Sequence, residues 1–379
     1  MIPPAVEIFD PKRPFNGLPP LPPKADIETR QILKRCIEAR SALAELKQVG
    51  ELIPNQTILI NTIPLREAKD SSEIENIVTT ADNLFRYAGV ADDKADAATK
   101  ETLRCRVALF EGYKNLEKRP LTTATAVTVC QRIRNVALDI RDTPGTALKN
   151  AATNDIIYTP PEGQSTLREK LANWEIFLHD HREVDPLIRM AVGHYQFAAI
   201  HPFTDGNGRT GRILNILFLI GEGLLDIPVL YRSRQIVRTQ DEYYRLLLEV
   251  TAQGAWEPWI LYMLTAVEET AKWTTRKIRA IKQLIDHTSE HVRANQSKIY
   301  SRQLVEATFI QPYCRISNLV EANIARRQTA SKYLKKLCAI SVLGEIHIGR
   351  EKLFVHPKFI ELLMSDESEF EKYGAAEAR

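Results

Sequence analysis

The stretch His201-Pro202-Phe203-Thr204-Asp205-Gly206-Asn207-Gly208-Arg209-Thr210-Gly211-Arg212 decides how the chain is read. Before it, Leu187, Ile188, Ala191, Val192, Tyr195, Ala198 and Ala199 recur at helical spacing, and Pro202 must end that helix. After it, Ile213, Leu214, Ile216, Leu217, Phe218 and Ile220 are apolar on nearly all sides, as in a central core helix. The local order is helix, glycine-rich loop, helix. Glycines let backbone N–H groups converge without side-chain clashes, and the second helix adds the positive end of its dipole. Arg209 and Arg212, one turn apart, supply forked donors for phosphate oxygens. Asp205 is a hard oxygen ligand suited to Mg²⁺, and Asn207 donates to a phosphate without adding charge. His201 is the one group here able to accept a proton near neutral pH. Together these parts describe a pyrophosphate and metal cradle facing a general base, the machinery of nucleotidyl or phosphoryl transfer.

Other readings fit less well. Gly206, Gly208 and Gly211 satisfy GxGxxG, but helical rather than strand periodicity precedes them, against a dinucleotide site. No GK[ST] follows, and the kinase signatures VAIK, HRD and DFG are absent. His179 and His181 lie two apart on a helix and face different ways, and no HExxH is present, which argues against a metal hydrolase using them with His194 and His201. A glycine-rich helix connection with surface arginines explains the glycines but not His, Asp, Asn and two Arg in one place.

Working outward, the 379 residues are 44% hydrophobic and 26% charged, with a net charge of +3, which excludes disordered, collagenous and disulfide-framework classes. Five scattered cysteines without a CxxC pair read as reduced, buried thiols in a cytoplasmic protein. The N-terminal residues lack a signal-peptide pattern, and no apolar run approaches a membrane span, so no membrane contact is expected. Leu18-Pro19-Pro20-Leu21-Pro22-Pro23 is an extended arm laid across the surface rather than an SH3-type ligand.

Helical patterns follow: Ile32, Leu33, Cys36, Ile37, Leu43 and Leu46 up to Gly50; 65–87 after Pro64; 91–119, with Leu103, Val107, Phe110 and Tyr113 as its apolar face; and 121–140. Residues 141–163 change texture, with Thr143-Pro144-Gly145, Ile156-Ile157-Tyr158 and Pro160-Pro161, and predict a turn-rich hairpin. Helices resume over 166–179, 186–200, 212–225, 241–248 and 258–285. The last hundred residues predict three short helices (301–309, 316–320, 326–337) and two strands about Gly349-Arg350-Glu351, the order of a winged helix-turn-helix. The fold class is thus mainly α with a hairpin. The expected division is a helical domain over 1–117, a catalytic core over 118–269, and a linker helix with the winged module over 270–379.

The quoted stretch resembles the HPFx[DE]GNGRxxR signature of the Fic family of protein adenylyltransferases and matches every fixed position. The resemblance extends to the proline arm, the Ala39–Leu46 helix, the hairpin and the tail. It implies a Fic (Fido) helical core with a hairpin flap, and transfer of AMP from ATP to a Ser, Thr or Tyr hydroxyl of a target protein or of the chain itself. It implies His201 as the base and Asp205 as the Mg²⁺ ligand. Nucleotide contacts would come from Gly206, Asn207, Gly208, Arg209, Thr210, Gly211 and Arg212. Tyr243 would line the nucleotide pocket, with Tyr244 or plain core packing as competing readings.

Ser71-Ser72-Glu73-Ile74-Glu75-Asn76 resembles the family's inhibitory [ST]xxxE[GN] motif, with Ser71, Glu75 and Asn76 at the defining positions. A carboxylate on Arg212 removes the donor meant for the γ-phosphate and leaves ATP in a pose unsuited to in-line attack. Taken alone, the segment reads as a helix N-terminus capped by Ser71 or as an exposed i,i+4 pattern. With the downstream motif, the resemblance implies an autoinhibited enzyme. The basic stretch Arg326, Arg327, Lys332, Lys335 and Lys336, with Gln328 and Ser331, suits a DNA major groove or a protein partner. A nucleotide-sensing DNA-binding regulator, AMP removal or another nucleotide remain alternatives, as does a homodimer.

Overall fold

The computed structural model describes residues 9–53, 55–88, 95–150, 153–348 and 351–374, and helices account for 62% of the chain. Helix α1 (Arg30–Gly50) starts at Thr29, whose side chain accepts from the Ile32 N–H. It lies along the 40-residue α11 (Trp256–Asn295). Its buried stripe is Ile32, Cys36, Ala39, Ala42, Leu43 and Leu46, while Leu33 and Ile37 of the expected pattern are exposed. Small residues at 39 and 42 let the two backbones approach, so the stripe is narrower than the apolar sequence pattern.

Helix α2 (Thr57–Glu73) runs straight through Pro64, where the sequence reading starts a new helix. The bond lost at the proline is offset by burial: Ile58, Leu59, Ile63 and Leu65 are all in the core. The helix then stops at Glu73 instead of continuing, Ile77 is half-buried and Val78 exposed, and α3 (Ala81–Tyr87) restarts from the cap Thr80. Helix α4 (Ala97–Leu116) buries Thr99, Thr102, Cys105, Ala108, Leu109 and Gly112 rather than the expected Leu103, Val107, Phe110 and Tyr113. Close packing decides this: a Cβ on Gly112 would stand 2.6 Å from a Leu217 methyl. Residues 91–94 of the expected helix lie outside the described residues. Helix α5 (Thr123–Arg134) opens on a capping box between Thr122 and Thr125. It ends at Arg134 with left-handed Asn135 as its cap, six residues before the 140 expected.

Strands β1 (Leu148–Lys149) and β2 (Ile156–Tyr158) pair antiparallel as the expected hairpin, of which residues 151 and 152 lie outside the described ones. The proline arm is docked along this hairpin and the core. The Phe15 N–H donates to the Thr159 carbonyl (3.0 Å), Asn173 exchanges two hydrogen bonds with the Leu21 backbone, and Leu18 and Leu21 are buried. Helices α6 (Gln164–Asp180), α7 (Pro186–Ile200) and α8 (Asn207–Gly221) form the centre, followed by α9 (Ser233–Arg238), which the sequence reading lacks, and α10 (Gln240–Gln253). The expected boundary at 269 falls inside α11, which extends from the core into the C-terminal module.

That module holds α12 (Arg302–Ile310), β3 (Tyr313–Cys314), α13 (Ile316–Glu321), α14 (Arg327–Ala339), β4 (Gly344–Ile348), β5 (Glu351–Val355) and α15 (Pro357–Met364). The three helices and hairpin stand in the expected order, and β3 completes an antiparallel sheet in the order β3-β5-β4. Residues 349 and 350 of the expected turn lie outside the described residues. Buried Lys277 on α11 fastens α15 by donating to the carbonyls of Leu362 (2.9 Å), Ser365 (3.0 Å) and Glu367. The module also touches α2: the Asn61 amide donates to the Ile310 carbonyl (3.4 Å) and Arg66 to that of Leu363. Among the described residues no helix is long and apolar enough to cross a membrane.

Candidate active site

Residues 201–206 connect α7 to α8. His201 is the C-cap of α7 in a left-handed conformation (φ 50°, ψ 58°), and Pro202 prevents further helix. Gly206 (φ 86°) caps α8, which begins at Asn207 rather than at the expected 212. A Cβ there would be strained and would meet the Cys130 sulfur at 3.2 Å. The N–H groups of Asn207, Gly208 and Arg209 in the first turn have no carbonyl one turn back, so they remain available as an anion cradle.

A protein carboxylate lies against the first turn of this helix, beside that cradle. The last turn of α2 brings Ser71 to α8, and the chain turns at once: Asn76 adopts φ 60° and the Ile77 N–H returns to the Ser72 carbonyl at 3.0 Å. Asparagine tolerates the left-handed conformation required there. Glu75 is thereby swung over the helix end, and a Cβ on Gly208 would stand only 2.1 Å from its Oε1. Arg212 is gripped by the same turn. Its Nε donates to Ser71 Oγ (2.8 Å), and its Nη2 donates to the Ser71 carbonyl (2.7 Å) and to Glu75 Oε1 (2.8 Å). The guanidinium is 2% exposed and the Glu75 side chain 33% exposed. Ser71 therefore closes a helix C-terminus and does not cap an N-terminus.

The His201 ring lies partly buried beside this plug. Burial, followed by the charge of Arg141, pushes the imidazole down to about 4 against the opposing pull of Glu75 and Asp205. The ring is neutral at physiological pH and has a lone pair to offer. Asp205 holds an ion pair with Arg134 (2.8 Å), stands 3.7 Å from Arg209, and accepts the Gly206 N–H, with its side chain 55% exposed. Among the described residues no cluster of three metal-ligating side chains exists. One exposed carboxylate is a sufficient protein donor for Mg²⁺, which takes its remaining ligands from water and phosphate oxygens.

Several expected nucleotide contacts are turned elsewhere. Both ends of the Asn207 amide brace the loop, donating to the Phe203 carbonyl (2.7 Å) and accepting its N–H (2.9 Å), so only the backbone of this residue faces the cradle. Arg209 is 1% exposed and its Nη1 donates to Glu101 Oε1 (2.6 Å), which ties it to α4 instead of the open site. Thr210 is fully buried near Cys130. Gly211 gives close passage to α7, where a Cβ would meet Phe197 at 3.3 Å. Tyr243 is 3% exposed with its hydroxyl 2.7 Å from His194 Nε2, so core packing holds it, while Tyr244 is 40% exposed. Sequence reasoning missed Arg141, Arg134 and Glu101. Their partners lie 60, 71 and 108 positions away in the chain, and no local spacing signals them.

Comparison with known proteins agrees with this geometry. Residues 33–114 match the Fic/DOC family N-terminal model, 120–219 the Fic/DOC family model, and 284–359 the model of the C-terminal domain of SoFic-like protein adenylyltransferases. The chain is 33% identical over 148 residues to protein adenylyltransferase fic-1 of Caenorhabditis briggsae, covering 38% of this chain and 27% of that protein. It is 28% identical over 117 residues to protein adenylyltransferase Fic of Nematostella vectensis, covering 31% and 26%. It thus spans about a quarter of the length of the curated relatives it matches. A crystal structure of a Fic family protein from Desulfovibrio desulfuricans superposes with a TM-score of 0.55 at 18% identity, over 86% of this chain and 96% of that one, which establishes the shared fold. Three family models in register along the sequence, the complete twelve-residue signature and this shared fold lead to one conclusion: the chain belongs to the Fic/DOC family.

Proposed function

We propose that the chain transfers AMP from ATP to a hydroxyl side chain of a target protein, and that Glu75 holds it inactive. The observation that carries this reading is the Glu75 carboxylate seated on the N-terminus of α8 with Arg212 closed around it. A carboxylate in that position stands where a phosphate group of the nucleotide belongs. With Glu75 displaced, the free N–H groups of residues 207–209 and the guanidinium of Arg212 bind the phosphates. Neutral His201 then takes the proton of the incoming hydroxyl as its oxygen bonds the α-phosphorus, and the bond from that phosphorus to the bridging oxygen of pyrophosphate breaks. Asp205 would hold Mg²⁺, which would supply positive charge against the phosphates. Preformed donors and a desolvated base account for the rate without covalent chemistry by the protein. The hairpin of residues 141–163 stands beside His201 and offers strand edges for an extended target segment. The five free cysteines and the need for ATP fit the cytoplasm.

The test is label transfer from α-labelled ATP, read on the chain itself and on a bacterial lysate. Glu75→Gly is expected to transfer label strongly, and adding His201→Ala to abolish transfer with ATP binding retained. An inert Glu75→Gly protein that binds ATP normally would overturn the reading. A second activity rests on a separate observation: Arg326, Arg327, Gln328, Lys332, Lys335 and Lys336 all lie exposed along α14. A helix so charged suits the major groove of duplex DNA. A gel shift with random duplex that weakens as salt rises supports it, and no shift at low salt excludes it.

A further inference from the structure

Arg141 carries no role in the mechanism above, yet it is 4% exposed and sits against the residue assigned as base. Its Nε donates to the His201 carbonyl (2.8 Å), and its Nη2 to the carbonyls of Pro161 (2.5 Å) and Ile200 (3.4 Å). Its backbone N–H donates to the Pro202 carbonyl at 2.9 Å. One residue therefore joins both ends of the 141–163 hairpin to the last residue of α7 and to the first two residues of the site loop. Tyr158, on β2, extends the same seam by donating its hydroxyl to the Ala199 carbonyl (2.8 Å).

These contacts fall on a backbone that is costly to hold. His201 has a Cβ and a left-handed φ of 50°, a conformation that crowds its side chain against the backbone. The carbonyls that end α7 form the negative pole of its dipole, so a guanidinium placed there is held by charge as well as by hydrogen bonds. If Arg141 only filled space, one ordinary acceptor would satisfy it. Instead its donors converge on His201 and its two neighbours in the chain.

We propose that Arg141 is a positioning residue that fixes the His201 backbone and locks the flap to it, so that the base and a flap-bound target segment keep one register. This rests on the transfer reading given above. The charged groups around the imidazole are Arg141, Glu75 and Asp205. Arg141 is the charge that pushes the ring down, so against the Glu75→Gly parent its removal lets the ring titrate at higher pH.

The experiment places Arg141→Gln and Arg141→Lys in the active Glu75→Gly background. It measures kcat and KM for ATP in self-labelling, ATP affinity by calorimetry, and the His201 titration by ¹³C-histidine NMR. Arg141→Gln is expected to lower kcat about tenfold to a hundredfold, as for a misplaced catalytic group. KM and Kd for ATP should stay within about twofold, and the His201 resonance should titrate at higher pH. Arg141→Lys retains the charge but not the fork, so it is expected to restore the titration and only part of kcat. Unchanged kcat in Arg141→Gln overturns the proposal, as does a kcat loss matched by equal weakening of ATP binding. If Arg141→Gln fails to fold, Arg141→Lys decides: full kcat counts against the proposal, and reduced kcat with unmoved ATP affinity supports it. Should the Glu75→Gly parent move no AMP, the transfer reading fails by itself, and the NMR titration still tests the hold of Arg141 on His201.

Discussion

Arg209 and Arg212 stand one turn apart on α8, and each meets a carboxylate from a distant part of the chain, but the two pairs are built differently. The partner of Arg212, Glu75, hangs on a three-residue turn beyond the end of α2 and is 33% exposed. The partner of Arg209, Glu101, is 19% exposed within α4 and also serves Arg134, 3.0 Å away. Moving residues 74–76 is enough to part Arg212 from Glu75, its bonds to Ser71 remaining, whereas parting Arg209 from Glu101 means parting α4 from α8. The difference teaches that identical spacing on one helix produces a releasable contact in one place and a strut in the other. What distinguishes them is how firmly the partner carboxylate is anchored.

The largest expected effect breaks the releasable pair. Glu75→Gly should raise AMP transfer by about 100-fold or more, on the scale of a lost ion pair that blocks the productive pose. Ser71 still accepts from Arg212, so thermal stability should change little. Label transfer and a melting curve on the same preparation check both parts. Glu101→Gln attacks the other pair. It takes the nearer carboxylate from a buried guanidinium, leaving Asp205 at 3.7 Å, and deprives Arg134 of one partner, which costs about 3 kcal/mol. In a chain of this size that lowers Tm by roughly 3–5 °C. No activation should accompany it. If Glu101→Gln activates as Glu75→Gly does, the contrast between the two pairs is false.

How much of this was legible in the sequence follows from the same contrast. The residues from His201 to Arg212 and the order of the C-terminal elements are local patterns readable from spacing, whereas the reading of residues 71–76 rests on the family resemblance, since alone they read as a capped helix start or an exposed i,i+4 pattern. The direction of each side chain was not. Arg209, Thr210 and Gly211 share the signature with Arg212, yet the turn of α8 aims them at α4, α5 and α7. Tyr243 and Tyr244 are adjacent, and only the helical rotation of 100° between them, fixed by what α10 packs on, decides which one is buried. The course of α2 through Pro64 and the buried face of α4 depended on neighbours remote in sequence. Tertiary packing overrode local propensity there.

Acid sharpens the distinction between groups that can reach solvent and groups that cannot. His356 is fully buried between Phe309 and Phe359 in the C-terminal module, and burial pushes its imidazole down to about 3. His194, behind the site, is likewise pushed well down by burial and then by Arg232 and Arg212. Both rings stay neutral in the folded chain while the unfolded chain protonates them near 6.5. Stability is therefore fully present above pH 6.5 and falls as pH drops towards the folded values, by about 2 kcal/mol at pH 5 for His356, with His194 adding a loss of the same sign. Melting at pH 7 and pH 5 measures the loss. His356→Asn keeps a side chain able to cap α15, where His356 Nδ1 now accepts the Phe359 N–H, and should reduce the loss. An equal loss in that variant places the acid sensitivity elsewhere.

The smallest expected effect concerns Tyr243. Its hydroxyl lies 2.7 Å from His194 Nε2, while Asn215 holds the other ring nitrogen at 2.8 Å, so the three residues form a closed polar chain behind α8. The tyrosine is buried under Trp259 and Tyr262 and does not reach the cradle. Tyr243→Phe deletes one buried hydrogen bond and leaves a histidine nitrogen unsatisfied, a cost of about 1 kcal/mol. Calorimetry in the Glu75→Gly background should find ATP affinity within about twofold of the parent, with Tm lower by only a degree or two. A tenfold loss of ATP affinity without a matching loss of stability would return Tyr243 to the nucleotide site, and would show that α10 rotates when Glu75 leaves Arg212.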